Sequence, residues 1–307
     1  QQFNVTAYGA TAVAFMTLQA FAGIWINAFI ISVSCEAWVR KKILKSNEKI
    51  LLFLGCSRFG HLCFSWLYSF LSIMYPHFLY VQPTYTATVS MHNFFESSNL
   101  WVSACLCAFY CVKIANFRNS FFIYLKVKID TIVPWLLLGS VLLALAVAIV
   151  AYRIAGKEPC NHSTHQGNFS NVSITMNNSF FPIYFVAGSG FVTSFMAVIT
   201  SALLLLFSLW RHKRNMQTNS TKDLSMDAHI KAMKSVLSFL LIYGINFVFL
   251  ISTMTSTMNE ENTMFFLYVF LYAFPVVHSL ILIFSNPKLE KTLLSILPCV
   301  KCKLCMR

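Results

Sequence analysis

Long runs without charge recur along this chain, and they restrict its fold more than any other feature. Charge-free or nearly charge-free windows lie near residues 8–34, 50–74, 88–112, 131–152, 181–209, 233–255 and 263–284. About 20 apolar residues in helical conformation cross the ~30 Å hydrocarbon layer of a bilayer. A run of that length in lipid must be helical, because only a helix satisfies all its own backbone groups there. The windows predict an all-α membrane protein: a seven-transmembrane helix bundle forming a single domain over 1–307, with a short amphipathic, basic tail at 285–307. Charge is scarce enough for this reading, since 11% of residues are charged and 57% hydrophobic, where a soluble domain carries about 25% charge. The first charge is Glu36. The opening apolar run is therefore too long for a signal peptide and is expected to remain as a span. The chain opens on Gln1 without Met, and a trimmed N-terminus is expected.

Basic residues set the orientation. Arg40, Lys41, Lys42, Lys45 and Lys49 lie between the first two spans, and Lys113, Arg118, Lys126 and Lys128 follow the third. Arg211, Lys213, Arg214, Lys222, Lys231 and Lys234 lie between the fifth and sixth, and Lys288, Lys291, Lys301, Lys303 and Arg307 lie in the tail. Only Arg58, Arg153 and Lys157 of the 23 Lys and Arg fall elsewhere. Because basic residues stay on the cytoplasmic side, the N-terminus is expected outside and the C-terminus in the cytosol. The net charge of +13 is then a topology signal rather than a nucleic-acid patch. Glycosylation sequons agree: Asn4, Asn161, Asn168, Asn171 and Asn177 all begin Asn-x-Ser/Thr on the expected outer side. A further match at Asn219 falls on the inner side and is expected to be inert.

Polar residues inside the spans need a partner or a wet cavity. His92, Glu96, Asn99 and Ser103 follow 4, 3, 4 spacing and share one face of the third span. That face predicts either a polar cavity open to the outside or a buried hydrogen-bonded stripe. Arg58 is the one basic residue deep in a span. It reads as a bundle-locking contact, with Asn27 of the first span as candidate partner. Pro275 is expected to kink the seventh span, and His278, one turn below, reads as a helix-packing hydrogen-bonder.

The cysteines read differently. Cys105, Cys107 and Cys111 crowd the third span, but Cys105 and Cys107 are about 200° apart on a helix. Two thiols on one face make a poor zinc site, so small apolar packing is expected and no metal. In the tail, Cys299, Cys302 and Cys305 lie among lysines. Palmitoylation is the favoured reading, and a metal knuckle short of a fourth ligand is the other. No cofactor is implied. HExxH, matched Ser-His pairs and paired membrane aspartates are missing, which argues against an intramembrane enzyme. No internal repeat or pair of broken helices supports a transporter.

Several blocks resemble one family closely. These are "GIWINAFIISVSCEAW" (23–38), "LLFLGCSRF" (51–59), "LWVSACLCAFYCVKIANF" (100–117) followed by "FFIYLK", "LWRHKRNMQ" (209–217), "AHIKAMKSVLSFLLIY" (228–243) and "PVVHSLILIFSNPKLEK" (275–291). They resemble the type 2 taste receptors, the bitter taste receptors of the G-protein-coupled receptor superfamily, over almost the whole chain. The helix-three Cys, the acidic-Arg-Tyr run and the Asn-Pro-x-x-Tyr motif of rhodopsin-like receptors are absent. Vomeronasal-type pheromone receptors are the nearest alternative. The resemblance implies bitter small-molecule agonists bound in the upper bundle. It also implies a gustducin-like or Gi-class heterotrimeric G protein on the cytosolic face, and a multi-pass place in the plasma membrane among lipids. Family pocket positions map onto His92, Glu96, Tyr243 and Tyr268, beside Asn99 on the polar face. The family's inner switch region maps onto Lys113, Asn116, His229, His278 and Ser279. The chain departs from the family at His92 and Glu96, where Trp and Asn are common, at Ser194, where Pro is common, and at Phe274-Pro275, in place of Tyr-Pro. An unpaired Glu96 carboxylate on a cavity face predicts a preference for ligands with a basic amine.

Overall fold

Among the described residues, six of the seven apolar runs each fold as one helix, and these helices reach past the run at one or both ends. The computed structural model describes residues 7–79, 81–115, 117, 119–156, 181–216, 237–238, 240–249 and 261–305. The helices are α1 (Ala7–Lys41), α2 (Ser46–Met74), the short α3 (Pro76–Leu79), α4 (Thr84–Ile114), α5 (Ser120–Ala155) and α6 (Phe181–Met216). They continue as α7 (Leu240–Phe249), α8 (Glu261–Ser285) and α9 (Pro287–Cys305). Among the described residues, five helices are long and apolar enough to cross a membrane: Ala10–Arg40, Ser46–Met74, Thr84–Ile114, Ser120–Ala155 and Gly188–Ser208. The sixth expected span, 233–255, is described only in part, as α7.

The helices outrun the hydropathy windows because charged residues end solubility in lipid without ending a helix. α1 passes its expected end at 34, carried by an i,i+4 ion pair from Arg40 to Glu36 at 2.7 Å. α5 begins at Ser120 rather than 131, where the Asn119 side chain caps the helix by accepting from the Phe121 N–H at 2.9 Å. The tail folds as α9. Asn286 accepts from the Lys288 N–H at 3.1 Å, and Pro287 begins the helix, where its missing N–H costs nothing.

Inside the spans, several hydroxyls return to their own helix. Ser34 donates to the Ile30 carbonyl, Ser57 to Phe53, Thr88 to Thr84, Ser140 to Leu136 and Thr200 to Met196. Such bonds let a polar side chain sit in a dry bundle without a cross-helix partner. Large apolar side chains point outward, as with Trp25, Trp135 and Leu18, each at least 70% exposed. That pattern suits a hydrocarbon surrounding rather than water.

α4 is the central element and packs on α2, α5 and α6, while α1 packs on α2 and α8. Near the Lys113 end, Ile30, Ile50, Leu54, Leu106 and Ile283 form one buried cluster. Closer to the Thr84 end, α2 and α4 approach at Gly60. A Cβ there would run into the Phe95 ring, which stacks on Phe64 with centroids 5.4 Å apart. Gly60→Val is therefore expected to lower stability by about 1–3 kcal/mol through overpacking. Gly139→Ala, with no atom within 4 Å of the added Cβ, is expected to be tolerated. Thermal unfolding of the detergent-solubilised protein measures both.

Candidate functional site

The polar stripe on α4 divides into a half-open upper part and a sealed lower part. His92 and Glu96, two and three turns from the Thr84 end, have side chains 32% and 31% exposed. Glu96 Oε2 lies 3.7 Å from His92 Nε2, an electrostatic contact longer than a hydrogen bond. His92 Nδ1 is 3.0 Å from Ser65 Oγ. The His92 ring stacks on His61 at 5.3 Å between centroids, with Tyr68 on a similar plane at 6.5 Å. The buried Nδ1 of His61 has no hydrogen-bond partner among the described residues. This layer offers a carboxylate, two imidazoles and flat aromatic faces, a set of groups suited to an amine or a polar heterocycle.

His61 and Ser65 escaped the sequence analysis. The signal was present: Arg58, His61 and Ser65 follow 3, 4 spacing on α2, the same rule that singled out the α4 face.

The lower stripe is dry. Asn99, expected on the ligand-facing stripe, is 5% exposed, and Ser103 is 0% exposed with no partner for its hydroxyl among the described residues. Asn99 is held here by Arg58, itself 0% exposed, whose Nε donates to Asn99 Oδ1 at 3.0 Å. Arg58 Nη1 donates to Ser279 Oγ at 2.9 Å, and Nη2 pairs with His278 Nδ1. A guanidinium can only donate, so His278 accepts through Nδ1 and its ring is uncharged. Asn27 is not a direct partner of Arg58. Ser279 stands between them and donates to Asn27 Oδ1 at 2.9 Å, while Asn27 Nδ2 returns to the Gly23 carbonyl at 2.8 Å. The bundle lock thus joins α1, α2, α4 and α8, and serine provides a shorter reach than two long side chains meeting directly.

Tyr243, mapped by resemblance to the pocket, is 0% exposed. Its ring sits among Phe191, Phe195 and Phe274, with centroids 5.7 to 6.2 Å away. In this packing it is a core residue. Pro275 lies inside α8, directly after Phe274 and three residues before His278. Tyr268 lies on α8 and Cys299, Cys302 and Cys305 on α9, with side chains outside the described set. Asn116, His229, Asn4, Asn161, Asn168, Asn171 and Asn177 lie outside the described residues.

At the Lys113 end, Lys113 Nζ pairs with Asp130 of α5 at 2.9 Å. Lys288 of α9 pairs with Glu48 of α2 at 2.7 Å. The span cysteines are free thiols: Cys107 and Cys111 are packed in apolar clusters, and Cys105 Sγ lies 3.4 Å from Ser140 Oγ. Among the described residues, no three His, Cys, Asp or Glu gather where a metal could be held.

Comparison with known proteins places this arrangement. A family profile described as "Taste receptor protein (TAS2R)" matches residues 5–301. The chain is 31% identical to human taste receptor type 2 member 2 over 293 residues, 94% of this chain and 96% of that protein. It is 33% identical to chicken (Gallus gallus) taste receptor type 2 member 40 over 285 residues, 91% of each chain. It is also 33% identical to member 9 of Papio hamadryas over 287 residues, 91% of this chain and 90% of that protein. A family match over residues 5–301 and identities above 30% over nine-tenths of the chain establish that the chain belongs to the type 2 taste receptor family.

Proposed function

We propose that the protein is a seven-helix plasma-membrane receptor for bitter small molecules, with its N-terminus outside and its C-terminus in the cytosol. Agonists enter from the Thr84 end and bind at the half-open layer around His92 and Glu96. Tyr268 completes the site from α8, and Asn99 and Tyr243 form its floor. A gustducin-like or Gi-class G protein docks on the basic face at the Lys113 end, and the switch positions that the family resemblance maps onto Lys113, Asn116, His229, His278 and Ser279 respond on activation. The outer asparagines carry glycans, and Cys299, Cys302 and Cys305 carry palmitate that holds α9 against the membrane.

The observation that carries this reading is the split stripe on α4. A polar layer that is one-third exposed stands directly above a polar layer that is sealed. A ligand at the first is one helical turn from the second, and it shifts the bundle only by binding one arrangement better than the other.

The test is expression with a promiscuous G protein and calcium readout against a panel of bitter compounds, including amines paired with their neutral amide analogues. Responses at proven surface expression are expected. Glu96→Gln is expected to weaken amines about tenfold relative to amides, the loss of roughly one moderate charge interaction. Equal responses of the variant and the parent to both classes refute the amine assignment, and silence across a broad panel refutes the receptor reading.

A further inference from the structure

A buried polar atom without a hydrogen-bond partner costs stability, so each one in a folded chain asks for a reason. Gln19 Oε1, Ser103 Oγ and His61 Nδ1 are buried and have no partner among the described residues. Gln19 lies on α1, and Ser103 belongs to the sealed lower layer. His61 is set apart by its place beside the half-open layer. Its ring stacks on His92, with centroids 5.3 Å apart and planes 28° from parallel. The residue is half-buried while its Nδ1 is sealed. His92 does not serve it. That ring meets Ser65 Oγ through Nδ1 at 3.0 Å and faces Glu96 through Nε2 at 3.7 Å, so both of its nitrogens are directed elsewhere. Packing alone does not call for histidine here, because leucine fills much of the same space and leaves no orphaned atom.

We propose that His61 is a specificity-determining ligand contact, whose Nδ1 accepts a hydrogen bond from the N–H of a flat heterocyclic agonist. A neutral imidazole has one donor and one acceptor nitrogen. With its proton on Nε2, His61 offers Nδ1 as the acceptor. The torsion about Cβ–Cγ is broad and roughly two-fold in histidine. A half-turn about that bond exchanges Nδ1 with Cδ2 and keeps the ring in its plane. The stack on His92 survives, and the nitrogen moves from the sealed edge of the ring to the opposite one. The ligand N–H then supplies the partner that the free protein lacks. An N-methyl analogue brings a methyl group to the same nitrogen and leaves it unpaired. A site that hydrogen-bonds a ligand group rejects the analogue lacking it more strongly than an apolar pocket rejects an extra methyl. The proposal rests on the reading of this layer as the agonist site. It adds to Glu96 on α4 a second, uncharged determinant on α2.

The test uses the full chain and two matched pairs of heterocycles: benzimidazole with its N-methyl derivative, and theophylline with its N-methyl derivative caffeine. Potency is read by calcium signalling at matched surface expression, and the unfolding midpoint is read in detergent without ligand. The parent is expected to prefer the N–H member of a pair about tenfold, the order of one well-made hydrogen bond. His61→Leu is expected to bring that ratio close to one. Its midpoint is expected to equal or exceed the parental value, because the orphaned atom is gone. His61→Asn, whose amide puts a polar atom close to the place of Nδ1, is expected to restore most of the preference. A parent with no N–H preference in either pair, including one that answers neither, overturns the proposal. A ratio unchanged in His61→Leu overturns it too. So does a lowered midpoint or lost surface expression in His61→Leu, which marks a packing residue. If the bitter panel evokes responses and Glu96→Gln still separates amines from amides, the receptor reading survives that failure. Silence across the whole panel removes the receptor reading itself, and this proposal with it.

Discussion

Arg58→Ala is expected to remove the receptor from the cell surface. Arg58 serves three partners on two helices, and a fourth through Ser279. Its removal leaves Asn99, Ser279 and His278 without the donors that satisfied them in a site sealed from water. Each orphaned group costs about 1–3 kcal/mol. Relief of the buried charge returns part of this, so a net loss of about 3 kcal/mol is expected from these opposing effects. Arg58→Lys keeps the charge but replaces the planar fork with a single ammonium that cannot reach three acceptors on diverging helices. It is expected to lose most of the same stability. Surface labelling by flow cytometry and the unfolding midpoint in detergent are the measurements. A lysine variant at parental levels would show that charge alone, and not the fork, holds the lock.

Tyr243→Ala is expected to be equally severe, for a different reason. The ring is fully buried among phenylalanines on α6 and α8. Truncating a buried aromatic side chain costs about 3–5 kcal/mol in measured cores. In lipid the transfer part is smaller, but the lost packing remains. Tyr243→Phe keeps the ring and is expected to cost about 1 kcal/mol at most, the net worth of one hydroxyl. The pair separates floor from wall. If the ring only seals the site, Tyr243→Phe leaves agonist potency unchanged. If the hydroxyl meets ligand, potency falls while the unfolding midpoint does not.

Much of the helix plan was legible in the sequence, because lipid solubility demands a continuous apolar run and a run of that kind has one conformation. The ends were less legible: hydropathy reports where lipid stops, whereas α1 and α5 stop where capping and ion pairs stop. The α4 face was legible as a face, since 4, 3, 4 spacing fixes it. How far water follows that face was not, because Asn99 is dried by Arg58, which arrives from another helix together with its α8 partners. For the same reason Ser279 could not be foreseen between Arg58 and Asn27. The lock could be suspected from one buried arginine, but its members are set by which helices meet. Tyr243 was assigned to the pocket by resemblance, and only packing places its ring inside an aromatic stack. His61 needed no structure at all, only the α4 argument repeated on α2.

The serine and threonine bonds that close within single helices bear on how the chain is made. A helix that satisfies its own hydroxyls can leave the translocon for lipid alone, without waiting for a neighbour. α2 cannot do so completely, because Arg58 has no acceptor of its own within that set. One acceptor comes with α4, and the other two come with α8, long after α2 has been synthesised. During biogenesis the second helix therefore carries an unmet demand that only a late one can fill. Quality control in the endoplasmic reticulum has a ready sign of incompleteness in that exposed arginine.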